Sequence, residues 1–271
     1  RLPNGVDRRR FRPPLAPPRA RPPRLLFLGR LDEQKRPDLL LEAFAGLVGA
    51  PDAADALPPE LELHFAGEGP WRARLEASAR ALGLEGRVRF LGLCADAPGL
   101  LRSGPLALAL PSVAEGMPNA VLEALACGVP VVASDLPGTR EAAGDAALLV
   151  PPGDLPALRA ALARVLADDG LRARLAAAGP ERARSFDLDA LAARHLALFH
   201  ELAGSAPRIA PPLRPSALLP PAGAGLRVLG GAARSLRAAL GGRLTRSFGG
   251  GDTRDEPARA APPSPDPKED P

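Results

Sequence analysis

Two carboxylates stand in one short stretch, Pro111-Ser-Val-Ala-Glu115-Gly-Met-Pro118-Asn-Ala-Val-Leu-Glu123-Ala-Leu-Ala-Cys-Gly-Val-Pro130, with seven residues between Glu115 and Glu123. Gly116 and Pro118 mark a loop that turns into a helix, because proline suits a first helical turn, where a backbone N–H lacks a partner anyway. Such a turn presents unpaired N–H groups and the positive end of the helix dipole, a ready place for an anion. Beyond Pro118, the residues Ala120, Val121, Leu122, Ala124, Leu125 and Ala126 leave the helix apolar all round, so it should be buried. Glu123 is then a charge whose burial is costly unless something hydrogen-bonds it. Ligand hydroxyls would meet that need, and an anion between the two acids would meet the helix start. The plainer alternative is a loop glutamate plus a helix glutamate paired with a nearby arginine.

The elements that must position these groups follow from hydrophobic periodicity. Short apolar runs at Leu25–Leu28, Leu61–Ala66, Val88–Leu91, Leu106–Leu110, Val129–Ala133 and Leu148–Val150 read as strands. Helical patterns at Pro37–Leu47, Trp71–Leu82, near Leu100 and at Asn119–Ala126 alternate with them, and Asp154–Leu166, Leu171–Ala177 and Leu188–Leu202 follow. Alternation of this kind predicts an α/β fold, a single doubly wound parallel sheet with helices on both faces. Ligands of such sheets bind beyond the carboxyl ends of the strands. Two further candidate loops lie there. One is Gly29-Arg30-Leu31-Asp32-Glu33-Gln34-Lys35, in which Arg30 and Lys35 would offer two cations to a phosphate; a charged turn with an Arg30–Asp32 or Lys35–Asp38 pair is the alternative. The other is Gly67-Glu-Gly-Pro70, whose glycines permit close backbone approach. It lacks the full dinucleotide fingerprint, so no nicotinamide or flavin cofactor is indicated.

The Glu115–Pro130 segment resembles the Glu-x7-Glu motif of retaining glycosyltransferases with the GT-B fold, closest to family 4, and the resemblance extends over about Arg24 to Ala203. It implies the Rossmann-like C-terminal, donor-binding half of that fold. By position, it implies that Glu115 contacts the hydroxyls of the donor sugar and Glu123 the ribose of the nucleotide. The backbone of Gly116, Met117 and Asn119 would face the diphosphate. Gly29, Arg30 and Lys35 would bind the same diphosphate, with Arg30 and Lys35 neutralising charge on the leaving group as the sugar bond breaks. Gly67 would turn beside the site, and Leu91, within Phe90-Leu-Gly-Leu-Cys94, would lie near the base. The implied reaction transfers a sugar from a nucleoside diphosphate sugar to an acceptor hydroxyl with retention. No cofactor and no metal are implied, and Asp187-Leu-Asp189 is read as a helix N-cap rather than a metal site. Many relatives carry glycine after the lysine; Arg36-Pro37 stands there in this chain and is expected only to start the helix more sharply.

Composition sets the remaining bounds. The chain has 271 residues, 46% of them hydrophobic, enough for one substantial core. One Trp, eight Phe and no Tyr leave few stacking platforms, which argues against a nucleic-acid partner. Cys94 and Cys127 lie in separate elements and form neither a disulfide framework nor a metal cluster, so a cytoplasmic setting is expected. His64, His195 and His200 are scattered and suggest no hydrolase triad. Residues 1–23, with Pro-Asn-Gly-Val-Asp and a Pro/Arg run, read as the remnant of an interdomain linker, and 24–203 as the nucleotide-sugar-binding domain. Residues 204–271, rich in Pro, Ala, Gly and Arg, read as a disordered tail. Within that tail, 226–248 has the alternative of a basic amphipathic helix in weak contact with the inner membrane face. With Met117 the only methionine, the chain is expected to be a fragment that lacks its acceptor half. Two other readings stay open: a non-catalytic nucleotide-sugar-binding subunit that needs a partner chain as its N-terminal half, and a GT-B nucleotide-sugar epimerase.

Overall fold

A computed structural model describes residues 3–16, 22–50 and 57–205. Six strands form one sheet: β1 (Arg24–Leu28), β2 (Glu62–Ala66), β3 (Val88–Gly92), β4 (Ala107–Leu110), β5 (Val131–Ser134) and β6 (Leu148–Val150). Their order is β3-β2-β1-β4-β5-β6 and every pairing is parallel. The chain therefore winds one way from β1 and then reverses, and the crevice between β1 and β4 is the switch point of a doubly wound sheet. Strands buried on both faces should be apolar throughout. β4 and β5 are buried at every residue, and Leu25, Leu26 and Phe27 of β1 are fully buried between them and β2. Aromatic packing extends the core sideways, with Phe27 tilted against Phe65 at 5.4 Å and Phe65 stacked on Phe90 at 5.2 Å.

Among the described residues there are eight α-helices: α1 (Pro37–Val48), α2 (Arg72–Ala81), α3 (Ala97–Arg102), α4 (Asn119–Ala126), α5 (Pro137–Ala143), α6 (Leu155–Ala167), α7 (Asp169–Ala183) and α8 (Leu188–Ser205). Seven of them fall into two packed groups, α1 with α2 and α6, and α4 with α3, α5 and α7. Caps fix where several of them start. Asp96, Asp154 and Asp168 each accept a backbone N–H three residues on, at 2.8 Å. Asp187 accepts from the amides of Asp189 and Ala190 at the start of α8, the capping role expected of it. Among the described residues no helix is long and apolar enough to cross a membrane.

Two elements differ from the sequence reading. α5 is a seven-residue helix whose Pro-Gly-Thr start reads as a turn. α7 continues six residues past Ala177, because Pro180 is accommodated inside its last turns instead of ending it. The connector residues 3–16 are packed on the domain. Val6 is buried, its N–H donates to the Phe186 carbonyl at 2.8 Å, and its own carbonyl accepts from Leu188 at 3.1 Å. Phe11 is also buried. The tail, including 226–248, lies outside the described residues.

β1 and β2 end on glycines because their loops run together. Gly67 has φ 146°, and a Cβ there would stand 1.9 Å from the Gly29 carbonyl oxygen. Gly67→Ala is therefore expected to destabilise the domain by about 2 kcal/mol or more, which chemical denaturation followed by far-UV circular dichroism would measure.

Candidate donor-binding site

Three loops leave the carboxyl ends of β1, β2 and β4 and meet at the switch point, and α4 points its first turn into the crevice they form. The resulting cleft holds about 440 Å³ and is lined by Gly29, Arg30, Lys35, Gly67, Glu115, Met117 and Asn119, with Leu93 and Cys94 on the side of β3. Seven of the ten residues singled out in the sequence thus share one cavity wall. Gly116, Glu123 and Leu91 are not part of that wall.

At its centre the Lys35 ammonium lies 2.5 Å from Oε1 of Glu115. Both side chains are largely out of water, 18% and 7% exposed. Ser112, buried, donates its hydroxyl to the same Oε1 at 2.7 Å. Two donors converge on Oε1 of this carboxylate, and among the described residues neither of them reaches Oε2. Lys35 makes this pair in place of one with Asp38, whose carboxylate is held by Arg36 at 2.9 Å. Arg30 is different. It pairs with Asp32 at 2.8 Å but is 70% exposed, and an exposed pair is worth about 1 kcal/mol or less. Its guanidinium is thus free to turn toward a ligand at little cost.

The loop that carries Glu115 is held from several directions. Val113 donates its N–H to the Gln34 carbonyl at 2.9 Å, and the Gln34 side chain donates to the Ala114 carbonyl at 2.8 Å. Asn4 of the connector donates to the Met117 carbonyl at 2.9 Å and to Oδ1 of Asn119 at 3.0 Å. From the far side, Gly138 of α5 lies against it so closely that a Cβ would stand 1.4 Å from the Gly116 carbonyl oxygen. Past Pro118, which occupies the N-cap with extended backbone and no side-chain cap, the first amides of α4 face the cleft at Asn119 and Ala120. Unpaired amides there carry the positive end of the helix dipole.

Glu123 stands one turn further along α4, half-buried, on the side facing the connector. Burial pushes its carboxyl above the usual range, and the Arg10 guanidinium offsets this only in part. Cys127, another turn along, is buried, and its thiol is pushed up to about 11 for the same reason. Arg36 adopts the left-handed conformation, φ 49° and ψ 49°, immediately before Pro37. That conformation suits glycine, so the arginine does more than sharpen the helix start: it carries local strain, braced by its forked contact with Asp38. Ser112, Asn4 and Gln34 escaped the sequence reading, since their contributions depend on which loops meet. A serine three residues before Glu115 was the only local sign.

Comparison with known proteins places the chain in a family. The model of the family described as glycosyl transferases group 1 matches residues 9–182. This chain belongs to that family. A phosphatidyl-myo-inositol mannosyltransferase from Mycobacterium leprae is 35% identical over 217 residues, covering 77% of this chain and 55% of the relative. A sucrose-phosphate synthase from Thermosynechococcus elongatus matches in structure with a TM-score of 0.64 and 29% identity, over 76% of this chain and 53% of that one. The C-terminal domain of a group 1 glycosyl transferase from Francisella tularensis has the same fold, TM-score 0.58 at 22% identity, and is covered along 100% of its length by 68% of this chain. This group 1 chain spans about half the length of the curated relatives it matches.

The raised pKa of Glu123 sets a pH dependence. Its protonated form supports the fold below the unfolded-state value, and that support is lost as pH rises through the folded value. At neutral pH the carboxylate is a net cost. Glu123→Gln should therefore melt above the wild type at about pH 7, with the gap closing as pH falls below about 5. Thermal melts across that range provide the measurement.

Proposed function

We propose that this domain binds a nucleoside diphosphate sugar and delivers the sugar, with retention of anomeric configuration, to an acceptor hydroxyl held by a second half-molecule. The observation that carries the reading is the Lys35–Glu115–Ser112 arrangement at the mouth of the switch-point crevice. It gathers a cation, a carboxylate with one oxygen to spare and the start of a buried helix within one cleft. In this reading Oε2 of Glu115 accepts hydroxyls of the donor sugar. Arg30 and Lys35, with the backbone of Gly29, Gly116, Met117 and Asn119, take the diphosphate, where charge grows as the bond from the anomeric carbon to the phosphate oxygen breaks. The close turn at Gly67 leaves room for the diphosphate, and Glu123 receives the ribose hydroxyls. On the base side, Leu93 and Cys94 line the cleft and Leu91 precedes them on β3. The domain needs no cofactor for this task, and the donor is its small-molecule partner.

Support for a second half comes from the relatives, which are nearly twice as long as the matched span. Acceptor contacts belong to that half in this reading, whether it lies in one chain with these residues or in a separate one. A buried, protonated Cys127 and an unpaired Cys94 fit a reducing, cytoplasmic compartment.

Calorimetry of the full chain against UDP-, GDP- and ADP-sugars tests the proposal. One nucleotide sugar should bind selectively, and Lys35→Ala and Glu123→Ala should each weaken it by about tenfold or more, the loss of one charge-assisted contact. A folded wild-type protein that binds none of the three, or binds one unchanged in both variants, would overturn the reading.

A further inference from the structure

A second cavity, of about 520 Å³, opens between the connector and α3 and shares no lining residue with the donor cleft. Four arginines from two distant parts of the chain line it: Arg9, Arg10 and Arg12 from the connector and Arg102 from the end of α3. A single carboxylate, Asp96, faces them, and its Oδ1 is occupied in capping α3 through the Gly99 amide at 2.8 Å. Arg9 is paired with Asp189. Among the described residues, no carboxylate lies within ion-pair distance of Arg10, Arg12 or Arg102. Arg102 is nonetheless fixed in place, because Nη1 donates to the Arg10 carbonyl at 2.7 Å. That bond ties the end of α3 to the connector and leaves the rest of the guanidinium fork for something else.

Arg10 faces the Glu123 carboxylate in part, so Arg12 and Arg102 are the two guanidinium groups of the cluster left without a carboxylate. Holding them together is unfavourable, and an anion in their midst reverses the sign of the interaction. Arginine favours one class of anion in particular, since its planar fork matches two oxygens of a tetrahedral phosphate. The volume exceeds what a bare phosphate fills and falls in the range of sites for small organic ligands. We infer that this pocket is a second binding site, one that takes the phosphate group of a phosphate ester, with Arg12 and Arg102 as its principal contacts. Leu15, fully exposed at the rim, is an apolar residue placed where a lipid carrying that phosphate would continue. The phosphate could therefore arrive on a soluble ester or on a phospholipid headgroup. The inference does not depend on the donor-site proposal, because the two cavities have separate walls.

The test uses the full chain in wild-type, Arg12→Glu and Lys35→Ala forms. Glycerol 3-phosphate is titrated calorimetrically, and co-sedimentation is measured with phosphatidylglycerol vesicles against phosphatidylcholine vesicles. The Arg12 side chain has no partner among the described residues, so its reversal should leave the fold and nucleotide-sugar binding intact. Phosphate binding should weaken by about fivefold or more in Arg12→Glu, remain in Lys35→Ala, and fall as NaCl rises from about 50 to about 300 mM. Heat with glycerol 3-phosphate assigns the site to soluble esters; selective sedimentation with phosphatidylglycerol alone assigns it to a headgroup. Absence of both, or binding of either kind that survives in Arg12→Glu, overturns the inference.

Discussion

A lysine and a glutamate that are both nearly excluded from water hold this domain's chemistry together. Lys35 belongs to the loop after β1 and Glu115 to the loop after β4, the two strands at which the winding of the sheet reverses. Their pair bridges the crevice that such a sheet must leave open. Removing one partner of a buried pair strands the other charge, at a cost of about 3–5 kcal/mol. The loops are thereby committed to one another before any ligand arrives. Ser112 completes the arrangement by adding a second donor to the same oxygen, which fixes the carboxylate plane and decides which oxygen faces the cleft. On the proposed reading, a diphosphate arriving beside Glu115 would meet repulsion from the carboxylate were Lys35 not already there to offset it.

The rest of the fold serves to place those loops, and α4 shows the compromise involved. Its first turn has to face the cleft while its body packs between β4, β5 and α7, so nearly every position is apolar. Glu123 is the exception. Its carboxyl is raised by desolvation and only partly compensated by Arg10. On the proposed reading, in which Glu123 receives the donor ribose, a residue that costs stability when charged on a helix otherwise devoted to packing trades stability for binding. Gly138 and Arg36 make the same point at the backbone level. One allows α5 to lie directly on the Gly116 carbonyl, and the other accepts a left-handed conformation so that Lys35 can turn inward just before α1 begins.

How much of this was legible depended on the range of the interaction. α4 was read with its bounds, Asn119–Ala126, since Pro118 and a continuous apolar run mark it locally. All six strands were found within a residue or two for the same reason. α5 went unseen because its helical start, Pro137-Gly-Thr, has the composition of a turn and is stabilised by packing on α4 and α7. Charge, spacing and the family resemblance singled out Arg30, Lys35 and Glu115, which line the cleft, and Glu123, which does not. Ser112, Gln34 and Asn4 act through single hydrogen bonds whose partners, for Gln34 and Asn4, lie 80 or more residues away, and nothing local distinguishes them from ordinary polar residues. Leu91 was expected near the base by resemblance; beyond the end of β3, past the left-handed turn at Gly92, it is Leu93 and Cys94 that line the cleft.

The connector gains a different meaning from these contacts. Composition alone describes residues 1–23 as an extended linker, yet Val6 is built into the domain beside the turn that leads into α8, bonded to both Phe186 and Leu188. Two residues earlier, Asn4 grips the loop of Met117 and Asn119. The point at which the backbone enters the domain is thus hydrogen-bonded both to the start of α8 and to the loop carrying Glu115. A pull on the connector that displaced Asn4 would release the Met117 carbonyl, while α5 still pressed on the neighbouring Gly116. The loop's order and the connector's position are therefore coupled, and by reciprocity a ligand that favours the ordered loop also favours the docked connector.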